Sequence, residues 1–229
     1  MPDEGRLSCG ALSRWRTLHE HSVIAMFLKM HGSEAAHRYL ASFDFQALKS
    51  ARQMREYAER ARIEPPSDAE IEYLEECCKR WTSKFYEEMR EEYGWTFPIL
   101  GKKRANLFDL EEATGLDHWR PRFRWASQHT HGQHRPAQAM LGVVESTTDK
   151  LLIGQSNSGL VDPLQMTAMG VASITACLLL SKPNVDRAVA ASVLMRLSDD
   201  VGPTAIRIEK ETFERAQGVV TCSPICPRL

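Results

Sequence analysis

Helix start and stop signals recur along this 229-residue chain, and they constrain its fold more than any other feature of the sequence. Residues that cap helix N-termini stand before stretches rich in helix formers, and glycine or proline follows several of these stretches. Ser67 with Glu70 three residues later forms a capping box, and Gly115 closes a segment that begins at Leu107. The pattern predicts an all-α protein, a bundle of about seven to eight helices.

Short connections separate the predicted helices. The predicted helices span residues 12–30, 44–62, 67–93, 107–114, 117–132, 162–181, 184–199 and 204–217, and a short helical segment is predicted at 33–40. We expect a small irregular or hairpin segment near 140–161, where short apolar runs accompany Gly154 and Gly159. Because no linker is recognisable, we predict one helical domain over residues 1–217, followed by a flexible C-terminal tail over 218–229.

Charge, cysteine spacing and hydropathy exclude several classes of protein. The formal net charge of −1 is unlike that of a globally basic nucleic-acid binder, although it permits a local basic patch. Six cysteines without a CxxC pair indicate reduced thiols rather than a zinc framework or a secreted disulfide scaffold. The polar start does not resemble a signal peptide, and the longest apolar stretch, 166–180, is shorter than the about 20 residues of a membrane span. We therefore expect a cytoplasmic protein without a membrane partner.

The Arg/His segment, residues 118–135, concentrates positive charge and aromatic surface. It contains four arginines, four histidines and no acidic residue, with three large aromatic residues among them. Arginine binds phosphate through two parallel hydrogen bonds, and aromatic rings stack on bases. The segment therefore predicts contact with RNA or a nucleotide. The residues expected to bind this substrate are Arg120, Arg122, Trp125 and His129.

Arg124, Ser127 and His131 form a candidate catalytic set within the Arg/His segment. Two helical turns span about 7.2 residues. Arg124 and His131, seven residues apart, therefore project from nearly the same face, with Ser127 between them. Histidine exchanges protons near neutral pH, and arginine stabilises charge that develops on phosphorus. The set is suited to phosphodiester cleavage, and we expect no cofactor.

A second polar cluster, near the N-terminus, supplies two supporting residues. Arg16 and Glu20 are one helical turn apart and align with the apolar Val23 and Phe27, so we expect the pair to point inward. The pair either braces the fold or orients a histidine of the Arg/His segment.

Two other interpretations of the Arg/His segment stay open. Its arginines can pair with the nine acidic residues of the helix predicted at 67–93, which makes it an ordinary solvated face. His131 and His134, completed by His129 or Glu20, can instead hold a metal ion. We expect no metal ligands, because a glycine interrupts the helix between the first two histidines and no HExxH motif is present.

Several short runs resemble a bacterial family of uncharacterised all-helical proteins. They are Arg16-Thr17-Leu18-His19-Glu20, Trp119-Arg120 with residues 127–132, and the apolar helix that follows them. The likeness spans most of residues 12–180. More distantly, Arg124 and His131, separated by six residues on a predicted helix, resemble the signature of HEPN ribonucleases. HEPN stands for the higher eukaryote and prokaryote nucleotide-binding families.

The HEPN resemblance implies a helical bundle that dimerises and brings two Arg/His pairs into one cleft. It implies that Arg124 positions the scissile phosphate, that His131 acts as acid or base, and that Ser127 adds a polar contact. Proteins of this kind cleave RNA without metal in toxin–antitoxin and anti-phage systems. The expected partners are therefore RNA, a second copy of the chain and an operon-encoded protein. The alternatives are a non-catalytic interaction or nucleotide/RNA-binding module and a metal-dependent hydrolase that uses the histidine cluster.

Overall fold

The computed structural model describes residues 7–130 and 159–216, and all regular structure in these two ranges is helical. Seven α-helices occur in them. They are α1 (Leu7–Ala61), α2 (Asp68–Lys84), α3 (Phe97–Leu100), α4 (Leu107–Thr114), α5 (Arg120–Thr130), α6 (Val161–Leu179) and α7 (Val185–Ala216). Short 3-10 turns at Glu87–Arg90, Gly94–Thr96 and Asp117–Trp119 connect some of them. The prediction of an all-α fold is confirmed.

Two of the predicted features lie wholly or mostly outside residues 7–130 and 159–216. The segment expected to be irregular or a hairpin near 140–161 lies outside the described residues except for its last three positions, and the tail predicted over 218–229 lies outside them entirely. Within the described ranges, no helix is both long enough and apolar enough to cross a membrane.

α1 replaces three predicted helices with one long helix that is interrupted at Gly32. The backbone there has φ 74° and ψ −162°, a conformation open essentially only to glycine, so the predicted stop takes the form of a kink. The break predicted just before Asp44 is wrong. Asp44 does not cap a helix, because its carboxylate accepts a hydrogen bond from Trp81 Nε1 at 2.6 Å. Ala41 and Phe45 are four residues apart and both buried, so the same helix face packs on the core before and after Asp44, which favours a continuous helix.

α2 begins as predicted and ends early. The side chain of Ser67 accepts from the backbone N–H of Glu70 at 3.2 Å, and the Glu70 carboxylate accepts from the Ser67 N–H at 2.8 Å, so the capping box is confirmed. The predicted extension to residue 93 is wrong, because α2 ends at Lys84. A Cβ on Gly94 would lie 1.7 Å from the Glu88 carbonyl oxygen, so only glycine permits the tight fold of chain that follows.

α4 has the predicted bounds, and local chemistry fixes both of its ends. Asn106 caps the helix by accepting a hydrogen bond from the Phe108 N–H at 2.8 Å. Gly115, with φ 71°, provides the left-handed residue that ends it. These two signals need no tertiary contact, which is why the sequence predicts this helix well.

The described residues form two compact units. The continuous unit comprises residues 23–118. At its centre the buried Trp95 indole contacts the rings of Phe27 at 5.4 Å and Tyr39 at 5.0 Å. The buried Arg38 guanidinium donates to the Trp95 carbonyl at 3.1 Å and pairs with Glu34 at 2.6 Å, so this buried charge is compensated. The single domain expected over residues 1–217 stays a prediction.

The split unit comprises residues 7–22, 119–130 and 159–216. Small residues let its helices pack closely: a Cβ on Gly170 of α6 would lie 3.0 Å from Leu18 of α1. The break predicted between residues 199 and 204 is wrong, because α7 continues through Pro203. A Cβ on Gly202 would lie 2.8 Å from the Gln165 side chain, so α6 packs tightly against α7 at this point and supports the continuous helix.

Candidate functional site

α5 buries one face and exposes the other. Phe123 and Ala126 are buried, whereas Arg122, Arg124 and Gln128 are exposed. Residues three or four apart share a helix face, so Arg124 and Gln128 project from the same exposed side. The helix contains no acidic residue. Its exposed side is therefore cationic and rich in hydrogen-bond donors.

An aromatic cluster lies beneath the buried face of α5. Trp15 and His19, from the first part of α1, are buried and stack on each other with ring centroids 5.4 Å apart. The His19 ring lies 5.6 Å from the Phe123 ring, and Trp15 lies 6.2 Å from Trp119. The cluster packs α1 against α5 and fixes which side of α5 faces solvent.

Two guanidinium groups contact the ring of Phe123. The Cζ atom of Arg16 lies 5.1 Å from the ring centroid, and that of Arg120 lies 5.3 Å from it. Arg16 also pairs with Glu20, one turn later, at 3.3 Å. Its Nε is buried without a hydrogen-bond partner among the described residues. Arg16 and Glu20 therefore lie directly beside α5, in a position to brace this helix.

The exposed arginines of α5 differ in their partners. Arg122 lies over the Trp119 ring at 5.5 Å and pairs with Asp162 at 3.9 Å, and about half of each side chain is exposed. A surface pair at that distance stabilises weakly. Arg124 takes part in no ion pair in the part of the chain that the structure describes. Within these ranges no acidic partner competes with an incoming anion for its guanidinium.

Ser127 is half-buried, and its hydroxyl donates to the Phe123 carbonyl at 2.8 Å. This is the usual bond of a helical serine to the preceding turn. The hydroxyl proton is therefore engaged within α5, and only the oxygen lone pairs are free to accept a hydrogen bond.

The remaining predicted site residues lie toward the C-terminal end of α5. Trp125 is half-buried, and His129 belongs to the last turn of the helix. His131 lies outside the described residues, as does His134 of the metal interpretation. The structure thus brings Arg16, Glu20 and Arg120 together and exposes Arg122 and Arg124. The expectation that Arg124 and His131 project from one helix face therefore stays a prediction.

His19 is the residue that the sequence interpretation did not assign to the site. It is only 5% exposed and contacts both Trp15 and Phe123. The spacing of Leu12, Trp15 and His19 carries the signal, since residues three and four apart share one helix face. A histidine on an apolar stripe is expected to be buried.

The described residues contain no group of three or more histidine, cysteine or acidic side chains arranged to hold a metal ion.

Comparison with known proteins gives a family without an assigned activity. The model of a family of unknown function, DUF5677, matches residues 3–149. The matched range includes α1 through α5, and so it contains the aromatic cluster and the exposed arginines. No curated protein and no solved structure matches the chain.

Proposed function

The chain belongs to the DUF5677 family of unknown function, and from that premise we propose that it binds RNA on the exposed face of α5 and cleaves it without a metal ion. One observation carries the proposal: Arg124 is exposed and unpaired among the described residues, on a helix without any acidic residue. A planar guanidinium binds phosphate through two parallel hydrogen bonds, and the phosphates of RNA present this group along the whole strand.

The packing beneath α5 supports this assignment. A binding site must hold its charged groups in place while the ligand arrives. The rings of Trp15, His19 and Phe123 fix one side of α5, and Arg16 with Glu20 packs beside it. Arg124 projects from a helix that is anchored in this way, so the backbone that carries its side chain needs no ordering on binding.

The proposed chemistry follows from the residue types. Arg124 holds the scissile phosphate and stabilises the charge that develops on it. The imidazole of His131 takes the proton from the ribose 2′-hydroxyl, whose oxygen forms a bond to phosphorus. The bond from phosphorus to the 5′ oxygen breaks, and this oxygen leaves with a proton from water. The likeness to HEPN ribonucleases supports the role of His131.

The same likeness supports the wider setting of the proposal. In this setting the protein is cytoplasmic and acts in a bacterial toxin–antitoxin or anti-phage system. Its proposed partners are an operon-encoded protein and a second copy of the chain. The two alternatives are RNA or nucleotide binding without cleavage and a metal-dependent hydrolase that uses the histidine cluster.

The test incubates the purified protein with mixed cellular RNA in EDTA. We expect the parent to cleave, and we expect Arg124→Ala and His131→Ala to lose about a hundredfold or more of the rate. Arg60→Ala is the matched control, because Arg60 is exposed on α1 in the continuous unit. It should cleave like the parent.

Three results would contradict the proposal. Cleavage only after a divalent metal is added would favour the hydrolase. RNA binding without cleavage in either buffer would favour the binding module. Equal cleavage by the parent and by Arg124→Ala would place the site elsewhere.

A further inference from the structure

Arg122 lies at the edge of α5 that adjoins α6. Its guanidinium is 3.9 Å from the carboxylate of Asp162, which belongs to the first turn of α6. The Cζ atom of Arg122 also lies 5.5 Å from the centroid of the Trp119 ring. About half of each of the two charged side chains is exposed, and both helices belong to the split unit. A carboxylate therefore lies at the edge of a helix that itself contains no acidic residue.

Helix geometry places Arg122 across the exposed side of α5 from Arg124. Successive residues of a helix turn by about 100°, so these two side chains are separated by about 160° around that side. The half-buried Trp125 and the exposed Gln128 lie between them. An RNA strand that crosses the exposed side of α5 from Arg124 toward α6 therefore meets Arg122 at the opposite edge.

A phosphate group and the Asp162 carboxylate need the same guanidinium. Both are anions that accept hydrogen bonds from its N–H groups, and two anions at one guanidinium repel each other. The contact with Asp162 is long and half-exposed, and such a pair contributes little to stability. The displaced carboxylate stays beside the N-terminus of α6, where the helix dipole stabilises negative charge. A phosphate can therefore replace the carboxylate at Arg122 at small cost.

We propose that Asp162 competes with RNA phosphate for Arg122, and this competition rests on the RNA binding proposed for α5. In the free protein the carboxylate occupies the position of a second phosphate, beside the one held by Arg124. When the strand binds, Arg122 exchanges the carboxylate for a phosphate, while the Trp119 ring continues to support its guanidinium. Asp162 therefore weakens RNA binding, and removal of its charge should strengthen it.

The test measures binding of a fluorescent single-stranded oligouridine in the His131→Ala background, which keeps the RNA intact. Asp162→Asn should raise the affinity about two- to fivefold, the range expected for an exposed ion pair. In a protein that also carries Arg122→Gln, the same substitution should change the affinity by less than about 1.5-fold at about 0.1 M salt, where charges beyond about 10 Å are screened. The gain disappears because the guanidinium for which Asp162 competes is absent.

Asp186→Asn is the matched control. Asp186 is the second residue of α7, as Asp162 is the second residue of α6, and both are exposed. The control removes one charge from the first turn of a helix without removing a partner of Arg122, so the affinity should not change. The melting temperature identifies a variant that has failed to fold. If Asp162→Asn fails, Asp162→Ser also removes the charge and should give the same gain.

Three outcomes would overturn the proposal. An unchanged affinity with Asp162→Asn, in a protein whose binding is weakened by Arg124→Gln, would remove the competition and leave the RNA site in place. An equal gain in the Arg122→Gln background, or from Asp186→Asn, would mean that the carboxylate acts through the net charge of the protein and not through Arg122. RNA binding by neither the parent nor any variant would contradict the RNA site itself, and the competition with it.

Discussion

The ring of Phe123 lies against two guanidinium groups and one imidazole ring. Arg16 and Arg120 lie 5.1 and 5.3 Å from its centroid, and His19 lies 5.6 Å away. Each cation–π contact contributes about 0.5–1 kcal/mol at a partly exposed site. The larger contribution is burial of the ring itself, because it is only 7% exposed. Phe123 therefore holds α5 in the orientation that exposes Arg124.

Replacing Phe123 by alanine should destabilise the protein strongly. The change removes a buried ring and its two cation contacts, so we expect the free energy of unfolding to fall by about 3–5 kcal/mol. Urea denaturation measures this value. Arg124→Ala is the control, since Arg124 is exposed and has no ion pair with another described residue, and a change at such a position should alter the value by no more than about 0.5 kcal/mol. Equal effects of the two variants would contradict the packing described for α5.

Asp109 should make stability depend on pH in acid. The Lys102 ammonium hydrogen-bonds its carboxylate and, with the Asn106 N–H, lowers the pKa of Asp109. A pKa that is lower in the folded than in the unfolded state gives stability above the ordinary aspartate value. That stability is lost as the pH falls through the folded value. The effect is confined to acid, below about pH 4.

Asp109→Asn tests this pH dependence. The amide keeps an oxygen that accepts the Asn106 N–H but carries no charge for Lys102. At about pH 7 the variant should therefore unfold at lower urea than the parent, and the difference should shrink as the pH falls toward about 3. A difference that stays constant from pH 7 to pH 3 would show that the charge of Asp109 does not stabilise the fold.

At the scale of the element, sequence predicts the helix ends that local chemistry fixes. The capping residue Ser67 begins α2 as expected, and α4 begins at Leu107 and ends at Gly115 as expected. The predicted helix ends are wrong where a contact between residues far apart in sequence determines the local structure. Asp44 looks like a cap but accepts a hydrogen bond from Trp81, which lies 37 residues away in sequence. Such partners depend on packing between helices, which helix propensity does not encode.

The kink in α1 gives a prediction at this scale. Gly32 has a backbone conformation that costs other residues about 1–3 kcal/mol, so Gly32→Ala should lower the melting temperature. Gly10→Ala, in the same helix, is the control. Its Cβ would meet only the flexible end of Arg14, and alanine favours a helix, so it should be neutral or stabilising by about 0.5 kcal/mol. A more stable Gly32→Ala protein would mean that α1 runs straight through this position.

At the scale of the whole molecule, the candidate site joins parts of the chain that are far apart in sequence. Residues 7–22 and 119–130 belong to the same compact unit, and Trp15, His19 and Phe123 pack together in it. Composition identifies the Arg/His segment, and helical spacing identifies the pair Arg16–Glu20. Neither shows that Phe123 joins them or which arginine has no ion pair among the described residues, because both depend on how α1 packs against α5.

The central claim is that RNA binds to the exposed face of α5 through Arg124. The most direct test measures binding of a fluorescent single-stranded RNA as a function of salt concentration, in the His131→Ala background so that the RNA stays intact. We predict that adding Arg124→Gln weakens binding several-fold and lowers the magnitude of the slope of log affinity against log salt by about 0.7, the value for one phosphate contact on a single strand. Adding Arg60→Gln instead should change neither quantity. An unchanged slope with Arg124→Gln, or an equal loss with Arg60→Gln, would contradict the claim.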